Sequence, residues 1–148
     1  MPIPPLDSDG FLPPGIHDAT VDELDEAFVR IRLTARRYTL MVKLRSYLVE
    51  LNQWNMAEEV LVDGSFVTNK PDPNDIDLLL VLRTQYDFGR EVSPYEYNLR
   101  SHRMVKKRFG FDLFAATSDS KDYARIVDIF SRVRDRPTRR KGIVRVRL

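Results

Sequence analysis

The sequence predicts a small α/β or α+β domain in which a mixed sheet of about four strands is flanked by helices. Helix-start patterns precede amphipathic stretches, and apolar runs typical of strands alternate with them. The resulting order is α-α-β-β-α-β-α-β, which favours a layered arrangement of helices against one sheet. With 148 residues, of which 43% are hydrophobic and 31% charged, the chain is long enough to bury one core.

The N-terminal part predicts an arm followed by two helices. Residues 1–19 contain five of the nine prolines, so we expect a proline-rich arm without regular structure, preceding a domain over residues 20–148. Thr20-Val21-Asp22-Glu23 is a capping box and predicts a helix to about Leu33. A second helix is expected at roughly 35–54, with an inward stripe that consists of Tyr38, Met41 or Val42, Arg45, Leu48 and Leu51.

The remaining elements follow from apolar runs and from turn residues. The run after Asp77 is apolar on both faces, which is typical of a central strand. Ser93-Pro94-Tyr95-Glu96 again has the pattern of a helix start, and Gly110 suits the end of that helix. The expected elements are strands at Glu59–Asp63, Ile76–Leu82 and Phe111–Ala116, helices at 93–109 and about 121–132, and an edge strand at Ile143–Leu148.

Composition excludes several classes of site. The chain has no cysteine, so disulfides and thiolate metal sites are impossible, and its two histidines make a histidine-rich zinc site improbable. No apolar stretch approaches the length of a membrane span, and the first ten residues lack the basic start and apolar centre of a signal peptide. We therefore expect a cytoplasmic protein that does not act at a membrane.

The C-terminal end is strongly basic. Residues 132–148 carry eight arginine or lysine side chains against one aspartate, a charge of +7 that leaves −5 for the rest of the chain. Such an end can contact phosphates, or it can protect the exposed edge of a sheet from pairing with other strands. The sequence leaves both interpretations open.

Two carboxylates at the start of the central strand require an explanation. Asp75 and Asp77 are two residues apart, so in a strand they share a face at a spacing of about 6–7 Å. Carboxylates this close repel each other unless a cation lies between them. Magnesium favours oxygen ligands and commonly binds one or two carboxylates together with substrate phosphates. A solvated strand end is the alternative interpretation.

A Gly-Ser turn precedes this pair. Gly64 allows the backbone to approach a ligand closely, because it has no side chain. The amides that follow Gly64 and the hydroxyl of Ser65 are suited to hold phosphates, as anion-binding turns do. Thr68 and Lys70 could contribute a hydroxyl and a positive charge, although Lys70 could equally be an ordinary loop lysine.

The stretch GSFVTNKPDPNDID resembles the Gly-Ser and Asp-x-Asp signature of the DNA polymerase beta-type nucleotidyltransferase superfamily, with nine residues between Ser65 and Asp75. The third carboxylate of that superfamily stands on a later strand between apolar residues, and FGFDLFAA supplies it here as Asp112. The end segments LPPGIHDAT and KGIVRVRL are also similar to a family of small prokaryotic proteins that carry this domain.

The resemblance implies a minimal nucleotidyltransferase fold that moves a nucleoside monophosphate from an NTP to a protein or RNA hydroxyl. Asp75 and Asp77 would bind two Mg²⁺ or Mn²⁺ ions, and Asp112 would bind one of them and help to deprotonate the acceptor. Gly64 and Ser65 would hold the phosphates. A role in a toxin–antitoxin or defence system would fit such small members.

The sequence departs from the small toxin-modifying members in two ways. The loop Phe66-Val67-Thr68-Asn69-Lys70 lacks the arginine that those members often carry, and no additional helical domain for gripping an acceptor is evident. The alternative is therefore a non-catalytic module that keeps the fold, binds a nucleotide or a partner such as a toxin, and acts as an antitoxin would.

Overall fold

The computed structural model describes residues 3–148 and confirms the α+β class, with a five-stranded mixed sheet and a separate two-stranded sheet. The strands are β1 Gly15–Asp18, β2 Ala57–Asp63, β3 Asp77–Leu82, β4 Asp112–Thr117, β5 Arg132–Val133, β6 Arg136–Arg140 and β7 Gly142–Arg147. The helices are α1 Val21–Asp25, α2 Ala35–Asn52, α3 Pro94–Arg100, α4 His102–Phe109 and α5 Lys121–Phe130, with a π-helical turn at Glu26–Arg30 and a 3-10 turn at Ser65–Val67.

The main sheet has the strand order β1-β7-β2-β3-β4. Strand β2 pairs antiparallel with β3 and with β7, whereas β3 pairs parallel with β4 and β1 pairs parallel with β7. The main sheet therefore has one strand more than the four or so that the sequence predicts. The hairpin β5–β6, which the sequence analysis did not predict, stands apart from this sheet.

The N-terminal arm is part of the fold, which corrects the expectation that residues 1–19 have no regular structure. The stretch Gly15–Asp18 forms β1 in parallel with β7, and Leu12 before it is buried. The amide of Gly142 donates to the carbonyl of Leu12 at 3.0 Å, so the arm is fixed before β1 begins. The part of that expectation that falls on residues 1 and 2 lies outside the described residues.

The expectation of an edge strand at the C-terminus is wrong for the same reason. Strand β1 covers the outer side of β7, so β7 lies inside the sheet between β1 and β2. Arg145 does not guard a free edge, because its side chain pairs with Asp18 on β1 at 2.5 Å. The four-residue segment that forms β1 is too short and too rich in glycine and polar residues to be recognised as a strand from its sequence.

The helix starts follow the local signals, but two helices are shorter than expected. The capping box at Thr20 is present, yet α1 gives way to the π-helical turn after Asp25. The single helix expected over residues 93–109 is two helices, because Ser101 ends α3 and its side chain caps α4. Gly110 ends α4 with a φ of +82°, a conformation that favours glycine.

The sheet is covered unequally on its two faces. The larger core lies between one face and helices α1 to α4, while a smaller apolar cluster on the other face contains Leu61, Leu79 and Ile143 and packs against α5. Helix α5 has ten residues, or about 15 Å, and covers only part of that face. The uncovered part lies where β2 ends and where β3 and β4 begin.

Helix α2 turns only part of the predicted stripe inward, where Met41, Leu48 and Leu51 are buried as expected. Tyr38, which we expected on the inward stripe, is 60% exposed, and Arg37 beside it is completely buried together with Leu40 and Leu44. The pattern was misread because a buried arginine interrupts the apolar stripe that defines the inward face. Arg37 is important for the site described next.

Candidate metal centre

The sheet brings Asp75, Asp77 and Asp112 together at its uncovered end. Strands β3 and β4 are parallel and in register, with Asp77 directly opposite Asp112, and Asp75 lies just before β3. One oxygen from each of the three carboxylates lies within 4.8 Å of the others, and all three side chains are half-buried. These carboxylates could hold a metal ion, because hard divalent cations prefer clustered carboxylate oxygens.

Lys106 on α4 supplies the positive charge nearest to this cluster. Its Nζ lies 3.1 Å from Oδ1 of Asp112 and 3.6 Å from Oδ2 of Asp75. The turn at Gly110 reverses the chain between α4 and β4, which brings a lysine six residues before Asp112 back to its carboxylate. Lys106 was not predicted as part of the centre, because the only local signal for its position was the helix stop at Gly110.

Two of the three carboxylates, those of Asp75 and Asp77, have raised pKa values, whereas the pKa of Asp112 is lowered. Burial, and after it the neighbouring carboxylates of Asp63, Asp75 and Asp112, raise the pKa of Asp77 to about 6, although Lys141 acts to lower it. Burial and a hydrogen bond with Asp112 also raise the pKa of Asp75. For Asp112 burial acts in the same direction, but the hydrogen bonds from Asp75 and Lys106 outweigh it and hold its pKa below the usual value. A bound cation would relieve this repulsion.

A fourth aspartate, Asp63, lies behind the cluster and is neutralised by a lysine. It stands at the end of β2 directly opposite Asp77, where its side chain is buried. The Nζ of Lys141 donates to Asp63 and also to the carbonyl of Phe130 at 2.8 Å. Burial raises the pKa of Asp63, while Lys141 acts to lower it. Lys141 therefore belongs to the interior and not to a solvated basic tail.

The Gly-Ser turn lies directly beside Asp77. Gly64 has a φ of +90°, and a Cβ atom at this position would stand 3.1 Å from Oδ2 of Asp77. The backbone conformation therefore favours glycine, and a side chain here would also require Asp77 to shift. Gly64, Ser65, Thr68 and Lys70 all line one cavity of about 850 Å³ together with the three carboxylates, as the sequence predicted. The hydroxyl of Thr68 donates to the carbonyl of Ser65 at 2.7 Å, so it closes the turn.

Arg37 holds this turn from inside the protein. Its guanidinium donates to the carbonyls of Phe28 at 2.9 Å, Phe66 at 2.6 Å, Thr68 at 2.7 Å and Lys70 at 2.6 Å. Burial lowers the pKa of Arg37 to about 10, which still leaves it charged near neutral pH. Three of the four carbonyls belong to the loop between Gly64 and Asp75. The loop therefore takes its shape from a residue on α2 that the sequence analysis missed.

The N-terminal arm supports the same loop from outside. The amide of Asn69 donates to the carbonyl of Gly10 at 3.1 Å, and a Cβ atom on Gly10 would stand 2.2 Å from Oδ1 of Asn69. Gly10 also has a φ of +85°, so no other residue fits without rearrangement. Asp9 and Phe11 line the cavity. The arm is thus one wall of the site.

Comparisons with known proteins place the chain in a family without assigning an activity. Within residues 3–148, none of the helices combines the length and the apolar character needed to cross a membrane. No curated protein and no solved structure matches the chain. Residues 4–147 match a family of unknown function (DUF6932), and because the match spans nearly the whole chain, the protein belongs to that family.

Proposed function

We propose that this protein is a metal-dependent nucleotidyltransferase that moves a nucleoside monophosphate from an NTP to a hydroxyl group of an RNA or a protein. The observation that carries the proposal is the position of three clustered carboxylates and a glycine turn in the same cavity. Either feature alone is common in proteins. Together they provide a place for a cation next to a place for phosphates, as phosphoryl transfer requires.

Asp75 and Asp77 are the proposed ligands of two Mg²⁺ or Mn²⁺ ions, with Asp112 as a ligand of one of them. When bound, such ions neutralise the triphosphate and stabilise the attacking and leaving oxygens. The electrostatics of the site suit this role, because the pKa values of Asp75 and Asp77 are raised by burial and by neighbouring carboxylates. Cation binding would stabilise the charged form of both groups.

The turn after Gly64 is the proposed phosphate site. Gly64 and Ser65 line the cavity together with Asp77, and Lys70 in the same loop is an exposed cation that also lines it. The amides of Val67 and Thr68 already donate to carbonyls within the turn, so the Ser65 hydroxyl and the earlier amides of the turn are the proposed phosphate donors. Thr68 shapes the turn through its bond to Ser65, and Arg37 fixes the carbonyls behind it. A turn held in this way presents its donors without further ordering, which favours binding.

Asp112 is the proposed base for the acceptor. The acceptor hydroxyl gives its proton to the Asp112 carboxylate, its oxygen bonds to the α-phosphorus, and the bond from that phosphorus to pyrophosphate breaks. Lys106 pairs with Asp112 at 3.1 Å and would have to release it before the carboxylate can accept a proton. The reaction would use cytoplasmic NTPs, and the acceptor could belong to a toxin–antitoxin or defence system.

Label transfer tests the proposal directly. The protein would be incubated with each α-³²P-labelled NTP, Mg²⁺, total RNA and cell lysate, and label would be followed on RNA and on protein. We expect transfer from at least one NTP, abolished by chelation of the metal. Asp112→Asn should still bind NTP with Mg²⁺, but transfer should slow by about 100-fold or more, as removal of a general base does.

The control is Asp119→Asn, which removes an exposed carboxylate beyond β4 that does not line the cavity. Its transfer rate should match that of the wild type. Nucleotide binding without transfer in any condition would favour the alternative of a non-catalytic binding module. If Asp112→Asn transfers at the wild-type rate, the assignment of the third carboxylate is wrong.

A further inference from the structure

The cavity that contains the carboxylates also has an apolar wall. Phe114 lies two residues after Asp112 on the same face of β4 and is 43% exposed, and Ile129 on α5 is 46% exposed. Single exposed apolar residues are normal on a protein surface. These two, however, line the same cavity together with Phe130 and Val133. We call these four residues the apolar shelf.

The ring of Phe114 is held in place although it is exposed. It makes an edge contact with Phe130 at a centroid distance of 5.9 Å and a tilted contact with His102 at 6.4 Å. The Nδ1 of His102 lies 3.0 Å from the carbonyl of Leu113, which fixes the histidine in turn. A preformed aromatic ring at the wall of a cavity binds a flat ligand with little loss of conformational entropy.

The hairpin β5–β6 places a cation, Arg134, beside this shelf. Seven of the eight basic side chains in residues 132–148 pair with carboxylates: Arg132 and Arg140 with Asp128, Arg136 and Arg139 with Asp9, Lys141 with Asp63, and Arg145 and Arg147 with Asp18. Arg134, in the two-residue turn of the hairpin, has no ion pair within residues 3–148. It lines the cavity together with the shelf.

A flat apolar surface beside a guanidinium that has no ion pair in the described part of the chain fits a ligand that combines a flat ring with negative charge. We propose that the apolar shelf binds a nucleobase, stacked against Phe114, and that Arg134 binds a phosphate of the same nucleotide. This inference rests on the proposed function, since the carboxylates and the Gly64 turn define where the reacting phosphates lie. The base belongs either to the NTP or to the terminal nucleotide of an RNA acceptor.

Calorimetry with ligands that carry or lack a nucleobase tests this inference. The full chain with Mg²⁺ would be titrated with each NTP, with inorganic tripolyphosphate, which has the same phosphates but no base, and with a short oligoribonucleotide. Phe114→Ala removes the ring, Phe114→Tyr keeps it, and Phe88→Ala removes an aromatic ring of similar exposure that does not line the cavity.

The expected result is a weakening of about tenfold or more in Phe114→Ala, because stacking of a base on an aromatic side chain has this magnitude. If affinity falls for NTP but not for tripolyphosphate, the shelf holds the base of the donor. If it falls only for the oligoribonucleotide, the shelf holds the base of the acceptor. Both results support the inference, provided that Phe114→Tyr and Phe88→Ala bind like the wild type.

Unchanged affinity of Phe114→Ala for every ligand that the wild type binds would overturn the inference and leave the proposed function intact. Failure of the wild type to bind both NTP and tripolyphosphate with Mg²⁺ would instead overturn the proposed function, and the inference with it. The two failures are therefore distinguishable.

A substitution of Arg134 tests the charged half separately. Arg134→Gln should weaken binding of the same nucleotide ligand and make it less dependent on salt, because one phosphate contact is lost. Arg125→Gln on α5 is the matched control, since Arg125 is exposed and does not line the cavity. If the two variants have the same affinity and the same salt dependence, Arg134 is not a ligand.

Discussion

Asp77 is surrounded by negative charge, with Asp63 opposite it on β2 and Asp75 and Asp112 beside it. Its pKa is raised from 3.8 to about 6, so between these pH values the folded protein retains a proton that the unfolded chain has lost. The charged form of Asp77 therefore opposes folding. Such charge repulsion lowers the stability of the protein without a cation, but it favours the binding of a cation beside Asp77.

We predict that Asp77→Asn makes the protein without added metal more stable at pH 7. Between pH 3.8 and about 6 the folded state binds the extra proton, so the wild type loses stability as the pH rises through this window. The loss is roughly 1–2 kcal/mol after allowance for partial exposure, and asparagine avoids it. Urea unfolding at pH 4 and at pH 7 would measure the difference, which should be close to zero at pH 4.

The control for this prediction is Asp119→Asn, which should change the stability little at either pH. If Asp77→Asn unfolds the protein at pH 7 or lowers its free energy of unfolding, Asp77 has a structural role. The site would then lack the stored repulsion that we attribute to it.

Arg37 contributes to the same site in a different way. Its guanidinium is completely buried and satisfies four backbone carbonyls. We predict that Arg37→Met lowers the free energy of unfolding by about 3 kcal/mol or more, since each buried carbonyl left without a partner costs about 1–3 kcal/mol. Arg37→Lys should lose less, because an ammonium group can satisfy up to three of them.

Denaturant unfolding would check the prediction, with Lys43→Met on the exposed side of α2 as the matched control. Equal stability of the two methionine variants would show that the carbonyls find other partners. In that case Arg37 does not hold the loop.

At the scale of elements, the buried pair of Asp63 and Lys141 connects the end of β2 to the start of β7. Both side chains are almost entirely buried. Lys141→Met leaves the carboxylate of Asp63 without its cation beside three other aspartates. We predict a loss of about 3 kcal/mol or more in the free energy of unfolding, as is typical when one partner of a buried pair is removed.

The double variant Asp63→Asn with Lys141→Met should recover most of this stability, because no unpaired charge remains. Arg140→Met is the control, since Arg140 pairs with Asp128 at an exposed position and should cost less than about 1 kcal/mol. Chemical denaturation of all three variants would measure these differences. Similar losses in Lys141→Met and Arg140→Met would contradict the account of Lys141 as an interior residue.

The elements with local signals could be predicted from the sequence. Thr20, Ser93 and Gly110 act within one helical turn, and the structure has a cap or a helix end at each of them. The strand before Gly64 and the strand that begins at Asp77 were also predicted, because long apolar runs define them. The sequence could not predict strand β1 or the interior position of β7, because pairing between residues 15–18 and 142–145 depends on tertiary context.

The residues of the site also divide into those predicted from neighbouring sequence and those that only the fold brings together. Asp75, Asp77, Gly64 and Ser65 lie close together in the sequence and were predicted as a group, and the structure brings them to one cavity with Asp112. Arg37 was missed because its partners are about thirty residues away, and a buried arginine resembles a solvated one in sequence. Lys141 was assigned to a basic tail for the same reason.

At the scale of the whole molecule, the site is assembled from every part of the chain. The sheet supplies the carboxylates, α2 fixes the loop through Arg37, the N-terminal arm packs on Asn69, and the hairpin supplies Arg134. The other basic side chains of residues 132–148 form intramolecular ion pairs, which neutralise most of their charge. A protein of 148 residues can therefore form a cavity that has carboxylates on one side and a cation on another.

The central claim is that Asp75, Asp77 and Asp112 form a cation site that works together with a nucleotide. Counting Mn²⁺ ions bound per chain by electron paramagnetic resonance, with and without a non-hydrolysable NTP analogue, tests it most directly. We predict about two ions per chain when the analogue is present and weaker binding without it, since phosphates complete the coordination. Asp77→Asn should abolish this binding, whereas Asp119→Asn should not. Absence of bound Mn²⁺ with the analogue, or equal binding by both variants, would contradict the claim.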